Sequence, residues 1–273
     1  MRNAFVFSLL AGAMAFCQDA PPDRVNVPFS DPARPKILKA SLLNGSISVK
    51  GYDGKEAIVE ARGGSESGRH HRDRGDRSDG MRRIDMSGTG LVVEESDNTI
   101  TVGSRAMNED ISLNIQVPYN TSVKLHAVNG GDITVDHIVG DVEIDNTNGK
   151  ATATHISGSA VVHALNEKVL VSFDKITSGK PMSFSSLNGD VDVTLPGDTK
   201  ANVKLKTDNG SVYSDFDIQV DGAARKPIVQ DNSSGKGKYR VQFDRAMYGL
   251  INGGGADMQM TTFNGNIYIR KAK

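Results

Sequence analysis

One phrase recurs along this chain: an apolar residue, then Asn-Gly, then polar and β-branched residues in alternation. Alternation with a period of two is typical of β-strands that bury one face, and Asn-Gly is typical of a sharp change of direction between strands. The clear copies lie at residues 43–49, 128–135, 187–193 and 263–269, and weaker copies follow residues 148, 166 and 209.

The spacing of these copies is nearly regular. The asparagines at positions 129, 148, 166, 188 and 209 are 19, 18, 22 and 21 residues apart. A period of about twenty residues is typical of stacked solenoids and of long β-meanders. Residues 117–130 and 195–210 share a Pro lead-in and a Val-Lys-Leu strand before Asn-Gly, which indicates internal duplication.

The residues that flank Asn-Gly distinguish two kinds of turn. In a two-residue hairpin the residues before and after Asn-Gly pair on one face of the sheet. Here Leu43 would pair with Ser46, and Leu187 with Asp190, which are mismatched in polarity. A corner between parallel strands imposes no such pairing, and there glycine supplies a left-handed backbone while asparagine stacks on the asparagine of the next coil.

The sequence therefore predicts an all-β fold, a parallel β-solenoid (β-helix-like) with coils of about 20 residues and Asn-Gly corners. An antiparallel β-meander or sandwich is the alternative, because a three-residue loop with a bulge would also relieve the mismatch. The alternation assigns an interior set and a solvent-facing set: Ile133, Val135, Ile138, Val142 and Ile144 inside, and Thr134, Asp136, Glu143 and Asp145 outside.

The first 17 residues have the pattern of a signal peptide. A positive residue precedes an apolar run, and small residues place cleavage after Ala15 or Cys17. Lipidation of Cys17 is disfavoured because the bulky Phe16 precedes it. We therefore expect an exported protein, located in the periplasm, at the cell surface or secreted. No later apolar run approaches membrane-spanning length, so no transmembrane segment is expected after cleavage.

The remaining chain divides into a tether and one domain. Residues 18–35 carry five prolines and are predicted to form an extended N-terminal tether, followed by the solenoid domain over residues 36–273. Two polar insertions interrupt the repeat, at residues 62–83 and 221–238. The first insertion holds seven arginines against four acidic residues in a Gly/Ser-rich context, which predicts a flexible loop.

The composition excludes several classes of function. Lys plus Arg (32) and Asp plus Glu (33) give a net charge of -1, so no chain-wide field favours nucleic acid. The single cysteine excludes an intramolecular disulfide and zinc sites built on several cysteines. We found no nucleophile elbow, phosphate loop, dinucleotide fingerprint or zinc-protease helix, so no enzyme, cofactor or metal is expected.

The signal-like start, the Asn-Gly phrases and the Val-Pro-x-x-Thr lead-in together resemble the bacterial "putative adhesin" family of DUF4097 domains, over roughly residues 36–273. The resemblance implies a β-helix-like repeat fold in an envelope or secreted setting. The family offers no catalytic residues to carry over. The Arg-rich insertion departs from the family's usual phrases, so no role is inherited there.

Two groups of residues are candidates for a site. The arginine-rich insertion would contact a polyanion without base or sugar stacking, because it contains no aromatic residue. Its adjacent pair His70 and His71 is a poor metal site because positive charge surrounds it. The candidate polyanion contacts are Arg69, Arg72, Arg74, Arg77, Arg82 and Arg83.

The second group is acidic and lies near the predicted corners. Pairs of carboxylates serve glycoside hydrolysis or calcium binding, whereas single outward acids only solvate strands and discourage edge pairing. The calcium-binding nonapeptide is absent, which favours the solvating role. The acidic residues are Asp132, Asp136, Asp141, Asp145, Asp190 and Asp192.

These observations favour an exported, noncatalytic, adhesin-like binding or scaffold protein, whose partner is a cell-surface glycan or an envelope protein. The alternatives are a β-helical polysaccharide-active enzyme and an envelope-stress accessory protein. The sequence predicts neither the ligand nor the oligomeric state.

Overall fold

The computed structural model describes residues 22–63, 89–106, 109–221, 227–231, 239–243 and 246–273, with only the backbone described for residues 227–231 and 239–243. Every regular element in these residues is a β-strand. In chain order the strands are β1 Asp23–Pro28, β2 Lys36–Tyr52, β3 Glu56–Gly63, β4 Leu91–Ser96, β5 Thr99–Ser104, β6 Ile111–Pro118, β7 Thr121–Asn129, β8 Ile133–Asp136, β9 Val139–Asn146, β10 Ala151–Ala164, β11 Val169–Ile176, β12 Met182–Ser186, β13 Val191–Leu195, β14 Ala201–Thr207, β15 Val212–Ser214, β16 Ile218–Val220, β17 Pro227–Asp231, β18 Tyr239–Phe243, β19 Met247–Ile251, β20 Ala256–Thr262 and β21 Ile267–Lys271.

The strands form two long faces that meet at the Asn-Gly corners, and both β2 and β10 bend from one face to the other. The first face has the order β4, β5, first half of β2, β7, β9, second half of β10, β12, β20, β14, β19, β16. The second face has the order β1, β3, β6, second half of β2, β8, first half of β10, β11, β13, β21, β15.

The central strands of both faces pair in parallel, which confirms the predicted β-solenoid over the antiparallel alternative. Antiparallel pairing occurs towards the ends of the faces, where β4 lies on β5, β3 on β6, and β19 on β14. An added antiparallel strand satisfies backbone groups that an outer coil would otherwise expose.

The spatial order of the coils differs from their order in the chain. At one end the β5–β6 coil pairs with the outer side of β2, although it follows β2 in sequence. At the other end the β20–β21 coil, the last in the chain, lies between the β12–β13 coil and the β14–β15 coil. The order of the asparagines along the stack therefore differs from their order in the chain after residue 188.

The core is a narrow stack of aliphatic side chains between the two faces. The predicted interior residues are all buried, and the four predicted outward residues are half-buried or exposed, which confirms the assignment of sides. Larger side chains, including Phe173, Phe184, Met258 and Met260, belong to the part of the stack towards β20. Thin coils of this kind bury enough apolar area only because neighbouring coils cover one another.

An amide ladder runs along the Asn-Gly corners, as predicted. Each side chain donates from Nδ2 to the Oδ1 of the asparagine in the adjacent coil, at 2.7–3.4 Å. Asn44 lies opposite Asn129 in the register of β2 and β7 and extends the row. In space the hydrogen-bonded order is Asn129, Asn148, Asn166, Asn188, Asn264 and Asn209.

The corner glycines have two roles, of which only one was predicted. Gly45 and Gly130 have positive φ angles of 115° and 78°, as predicted, but Gly149, Gly189, Gly210 and Gly265 are not among the residues of positive φ. At these four positions a Cβ would instead overlap the backbone carbonyl of the residue in the adjacent coil. Glycine is required there because the coils approach closely, not because the backbone is left-handed.

Parts of the predicted tether and of the second insertion are regular. Residues 23–28 form β1, paired antiparallel with β3, and the side chain of Phe29 is buried in the core, so this part of the tether belongs to the folded domain. Within the insertion at residues 221–238, β17 begins an antiparallel ribbon that β18 completes. The described residues contain no helix that is long and apolar enough to cross a bilayer.

Candidate functional site

The predicted polyanion-binding arginines lie outside the described residues, as do His70 and His71, so the role of the insertion stays a prediction. The six arginines in question are Arg69, Arg72, Arg74, Arg77, Arg82 and Arg83.

Two of the predicted acidic residues have structural partners at the asparagine corners. The carboxylate of Asp132 accepts a hydrogen bond from the Lys150 backbone N–H at 2.9 Å, and Asp190 accepts one from the Asn266 N–H at 2.8 Å. Each bond joins one coil to the next. These carboxylates therefore satisfy donors that the bend leaves without a strand partner.

Two further acids on the first face lie close to basic side chains. Asp141 accepts hydrogen bonds from Lys180 Nζ at 2.8 Å, and this contact lowers the pKa of Asp141 against the opposing effect of burial. Asp145 lies 3.6 Å from Nδ1 of His126. Both pairs are exposed and contribute little to stability.

A cluster of aromatic and charged side chains lies at the end of the second face, where Tyr213 and Arg270 are exposed, Tyr268 is half-buried and Asp192 is buried. We call it the tyrosine face and define it as Asp192, Tyr213, Tyr268 and Arg270. The rings of Tyr213 and Tyr268 stack with centroids 5.2 Å apart and an interplanar angle of 11°. The guanidinium of Arg270 lies 5.0 Å from the Tyr268 centroid, while its Nε donates to Asp192 Oδ1 at 2.8 Å.

The tyrosine face arises from two copies of the same phrase. Tyr213 and Tyr268 each lie four residues after a corner asparagine, Asn209 and Asn264, so both point outward from equivalent strands. They become neighbours because β21 pairs with β15. The repeated N-G-x-[V/I]-Y pattern was the available sequence signal, but their adjacency depends on the displaced final coil.

A second cluster lies at the bend that follows β8 and at the equivalent bend in the middle of β10, away from the asparagine ladder. We call it the histidine corner and define it as Asp136, His137 and His155. Nδ1 of His137 lies 2.7 Å from Asp136 Oδ2, and Nδ1 of His155 lies 2.9 Å from Asp136 Oδ1. The two imidazoles stack with centroids 4.4 Å apart and an interplanar angle of 22°.

The backbone holds both histidines in the same conformation in successive coils. His137 has a φ of 56° and His155 a φ of 53°, in the left-handed region that few residues other than glycine adopt. The His137 N–H donates to the Thr154 carbonyl at 3.1 Å, which fixes the register of the two bends. Both rings therefore leave the solenoid at the same place and reach one carboxylate.

Hydrogen bonding dominates the electrostatics of this corner. Burial alone would raise the pKa of Asp136, but hydrogen bonds from His155, His137 and Thr154 outweigh it and lower that pKa from 3.8 to about 2. The bond to Asp136 in turn raises the pKa of His155. The carboxylate is thus ionised at neutral pH and presents negative charge to both rings.

The sequence placed Asp136 correctly on the outside but did not predict the cluster. The signal was the pair Asp136-His137-Ile138 and Thr154-His155-Ile156, in which the histidines are 18 residues apart, one coil period. Histidines at equal positions of adjacent coils lie side by side only if the strands are parallel and in register.

Comparisons with known proteins place the chain in a family. Its family model, described as Toastrack DUF4097, matches residues 34–245. A solved structure described as a putative cell adhesion protein from Clostridium sporogenes is 12% identical, with 92% of this chain and 100% of that chain covered and a TM-score of 0.43. A second, described as a putative adhesin from Bacteroides fragilis, is 8% identical, with coverage of 92% and 97% and a TM-score of 0.34.

No curated protein matches this sequence. The family match covers well over half of the residues, and it agrees with the parallel solenoid described above. The chain belongs to the Toastrack DUF4097 family.

Proposed function

We propose that this chain is an exported, noncatalytic binding protein of the bacterial envelope or exterior, and that the tyrosine face contacts its ligand. The observation that carries the proposal is the stack of the exposed Tyr213 on the half-buried Tyr268, bordered by the paired charges of Arg270 and Asp192. Tyr213 is 53% exposed although its ring is large and flat.

The composition of this surface is typical of binding sites. Tyrosine and arginine are enriched where proteins bind partners, because both offer a large rigid contact area together with polar groups. Two hydrogen bonds from Arg270 to Asp192, at 2.8 and 3.2 Å, hold the guanidinium in place before any ligand arrives. A preordered side chain loses less conformational entropy on binding.

The shape of this surface favours an extended ligand. The residues that line the shallow groove at this end come from β15, β21 and the residue after β15, so they lie along one open sheet surface. An open surface contacts a chain-like molecule, such as a cell-surface glycan or an extended segment of an envelope protein, over several units. The arginine-rich insertion remains a separate predicted contact for polyanions.

A polysaccharide-active enzyme, the alternative suggested by the acidic positions, requires two carboxylates that face one sugar bond. Four of the six acids already bind a backbone N–H or a cationic side chain, namely Asp132, Asp141, Asp190 and Asp192. These contacts favour structural roles for the four. A turnover screen on anionic glycans, with and without calcium, tests the alternative directly.

The experiment compares binding of the purified mature chain to bacterial cells and to cell-surface polysaccharides. The double substitution Tyr213→Ala and Tyr268→Ala should abolish binding without unfolding the domain. Tyr119→Ala is the matched control, because it removes an exposed tyrosine at another site. Equal binding by the double variant and the unsubstituted chain would contradict the proposal.

A further inference from the structure

We propose that the histidine corner binds one divalent transition-metal ion, with His137, His155 and Asp136 as its ligands. Among the described residues this is the group in which three metal-binding side chains bring ligand atoms within 4.8 Å of one another. The sequence favours no metal site, because its adjacent histidines, His70 and His71, lie in an arginine-rich segment. This site lies elsewhere and involves different residues.

The ligand set selects the class of ion. Two imidazole nitrogens and one carboxylate oxygen suit zinc, cobalt, nickel or copper, whereas calcium and magnesium prefer oxygen ligands throughout. Three ligands from the protein leave at least one coordination position for water or for a group of an external ligand. The site would therefore hold the ion at the surface of the solenoid.

The spacing of the ligand atoms fits one small ion. Zinc lies about 2.0–2.2 Å from nitrogen and oxygen ligands, so adjacent ligand atoms around it are about 3–3.5 Å apart. The imidazole Nδ1 atoms lie 2.7 and 2.9 Å from the carboxylate of Asp136, joined at present by hydrogen bonds. Both rings are about half exposed, so small rotations open the required space.

Binding of the ion exchanges protons for metal. Each Nδ1 that now donates to Asp136 must give up its proton, either to solvent or to Nε2 of the same ring, before its lone pair reaches the ion. The carboxylate keeps a hydrogen bond from Thr154 Oγ1 at 3.0 Å, which holds it in position. Supporting bonds of this kind strengthen metal sites.

Two nearby charges modify the site in opposite directions. Asp174 interacts electrostatically with His155 and adds negative charge beside the ring. Lys50 lies opposite Asp136 in the register of β2 and β8 and adds positive charge. Because Lys50 repels a cation, its replacement by a neutral side chain should strengthen metal binding, while the ligands stay unchanged.

The experiment titrates the metal-free mature chain with Zn²⁺ by calorimetry and with Co²⁺ by visible absorption. All proteins carry His70→Asn and His71→Asn, so that the predicted loop contributes no imidazole. We expect one equivalent of metal. The pair His137→Asn and His155→Asn should weaken binding at least about tenfold. Asparagine is chosen because it tolerates the left-handed backbone at both positions.

The matched control is His126→Asn with His163→Asn, since both histidines are exposed on the first face. This control should bind as the parent does, and Lys50→Gln should bind more tightly by a few-fold. Circular dichroism and thermal melting of the metal-free proteins check that the variants fold. Parent-like binding by the His137/His155 variant, loss of binding in the control pair, or no binding by the parent would overturn the proposal.

Discussion

The two kinds of corner in this solenoid solve different problems. At the asparagine corners asparagine recurs along the hydrogen-bonded row, followed by glycine except after Asn166, and the amides and close-packed backbones hold neighbouring coils together. At the histidine corner the described residues place histidine in two adjacent coils, at His137 and His155, and both side chains are exposed.

This difference separates residues that the backbone needs from residues that the surface uses. A residue type that recurs from coil to coil meets a structural requirement of each coil, such as an amide hydrogen bond to the neighbouring coil or space for its backbone carbonyl. A residue type found in two coils is not required by the repeat, and its role belongs to that part of the surface. The tyrosine face has the same character as the histidine corner, because Tyr213 and Tyr268 occur in two neighbouring coils.

The largest expected effect is at a corner glycine. Gly149→Ala would place a Cβ against the carbonyl oxygen of Gly131 in the adjacent coil. We expect a loss of about 3 kcal/mol in the free energy of unfolding, because neither backbone can move away. Gly197→Ala is the control, since nothing lies within 4 Å of its added Cβ. Chemical denaturation of both proteins checks the difference, and equal stability would remove close approach as the reason for glycine.

A smaller effect is expected within the amide ladder. Asn166 donates to Asn148 at 2.7 Å and accepts from Asn188 at 2.9 Å, so Asn166→Ala removes two hydrogen bonds. We expect a loss of about 1–2 kcal/mol. Asn209 donates to Asn264 at the end of the hydrogen-bonded row, so Asn209→Ala should cost about half as much. A reversed order in the denaturation midpoints would show that the ladder does not stabilise the stack.

The sequence predicted the parts of the fold that every coil repeats. The parallel solenoid, the asparagine ladder and interior residues such as Ile133 and Ile144 follow from periodicity and alternation. The spatial order of the coils could not be predicted, because the repeated Asn-Gly phrase does not specify which coil packs next to which. Tyr213 would otherwise lie beside Asp192, and the placement of β21 between them creates the tyrosine face.

The histidine corner was not predicted from the sequence, for a related reason. Asp136 and His155 are separated by a whole coil, and their contact depends on the register of parallel strands. The role of the glycines was also not predictable from residue type, because glycine serves both left-handed turns and close approaches. Only the distance to the adjacent coil separates these two roles at Gly149.

The third largest expected effect is a pH-dependent change in the free energy of unfolding, which tests the histidine corner in the absence of metal. The pKa of Asp136 is lower in the folded chain than its ordinary 3.8, so its contribution to stability is present above pH 3.8 and is lost as the pH falls towards about 2. The pKa of His155 is raised, so its contribution is present below pH 6.5 and is lost as the pH rises through the folded-state pKa.

We therefore expect Asp136→Asn to destabilise the chain most between about pH 4 and 6.5, by about 1 kcal/mol. The charged neighbours are Lys50 from β2 and Asp174 from β11, and they change in neither protein. Denaturation in the presence of a chelator, repeated across this range, measures the difference between the two chains. A difference that does not vary with pH would show that the carboxylate acts through shape instead of charge.

The smallest expected effect is that of His137→Asn, and its comparison with His137→Val separates the backbone of the histidine corner from its imidazole. His137 has a φ of 56°, which asparagine tolerates and a β-branched residue does not. His137→Asn should change the free energy of unfolding by less than about 0.5 kcal/mol, whereas His137→Val should cost about 1–2 kcal/mol. If both variants are equally stable, the left-handed bend does not constrain this residue. If asparagine is neutral and valine is not, the bend requires only a residue that tolerates positive φ, and the imidazole itself is free to bind a ligand at the surface.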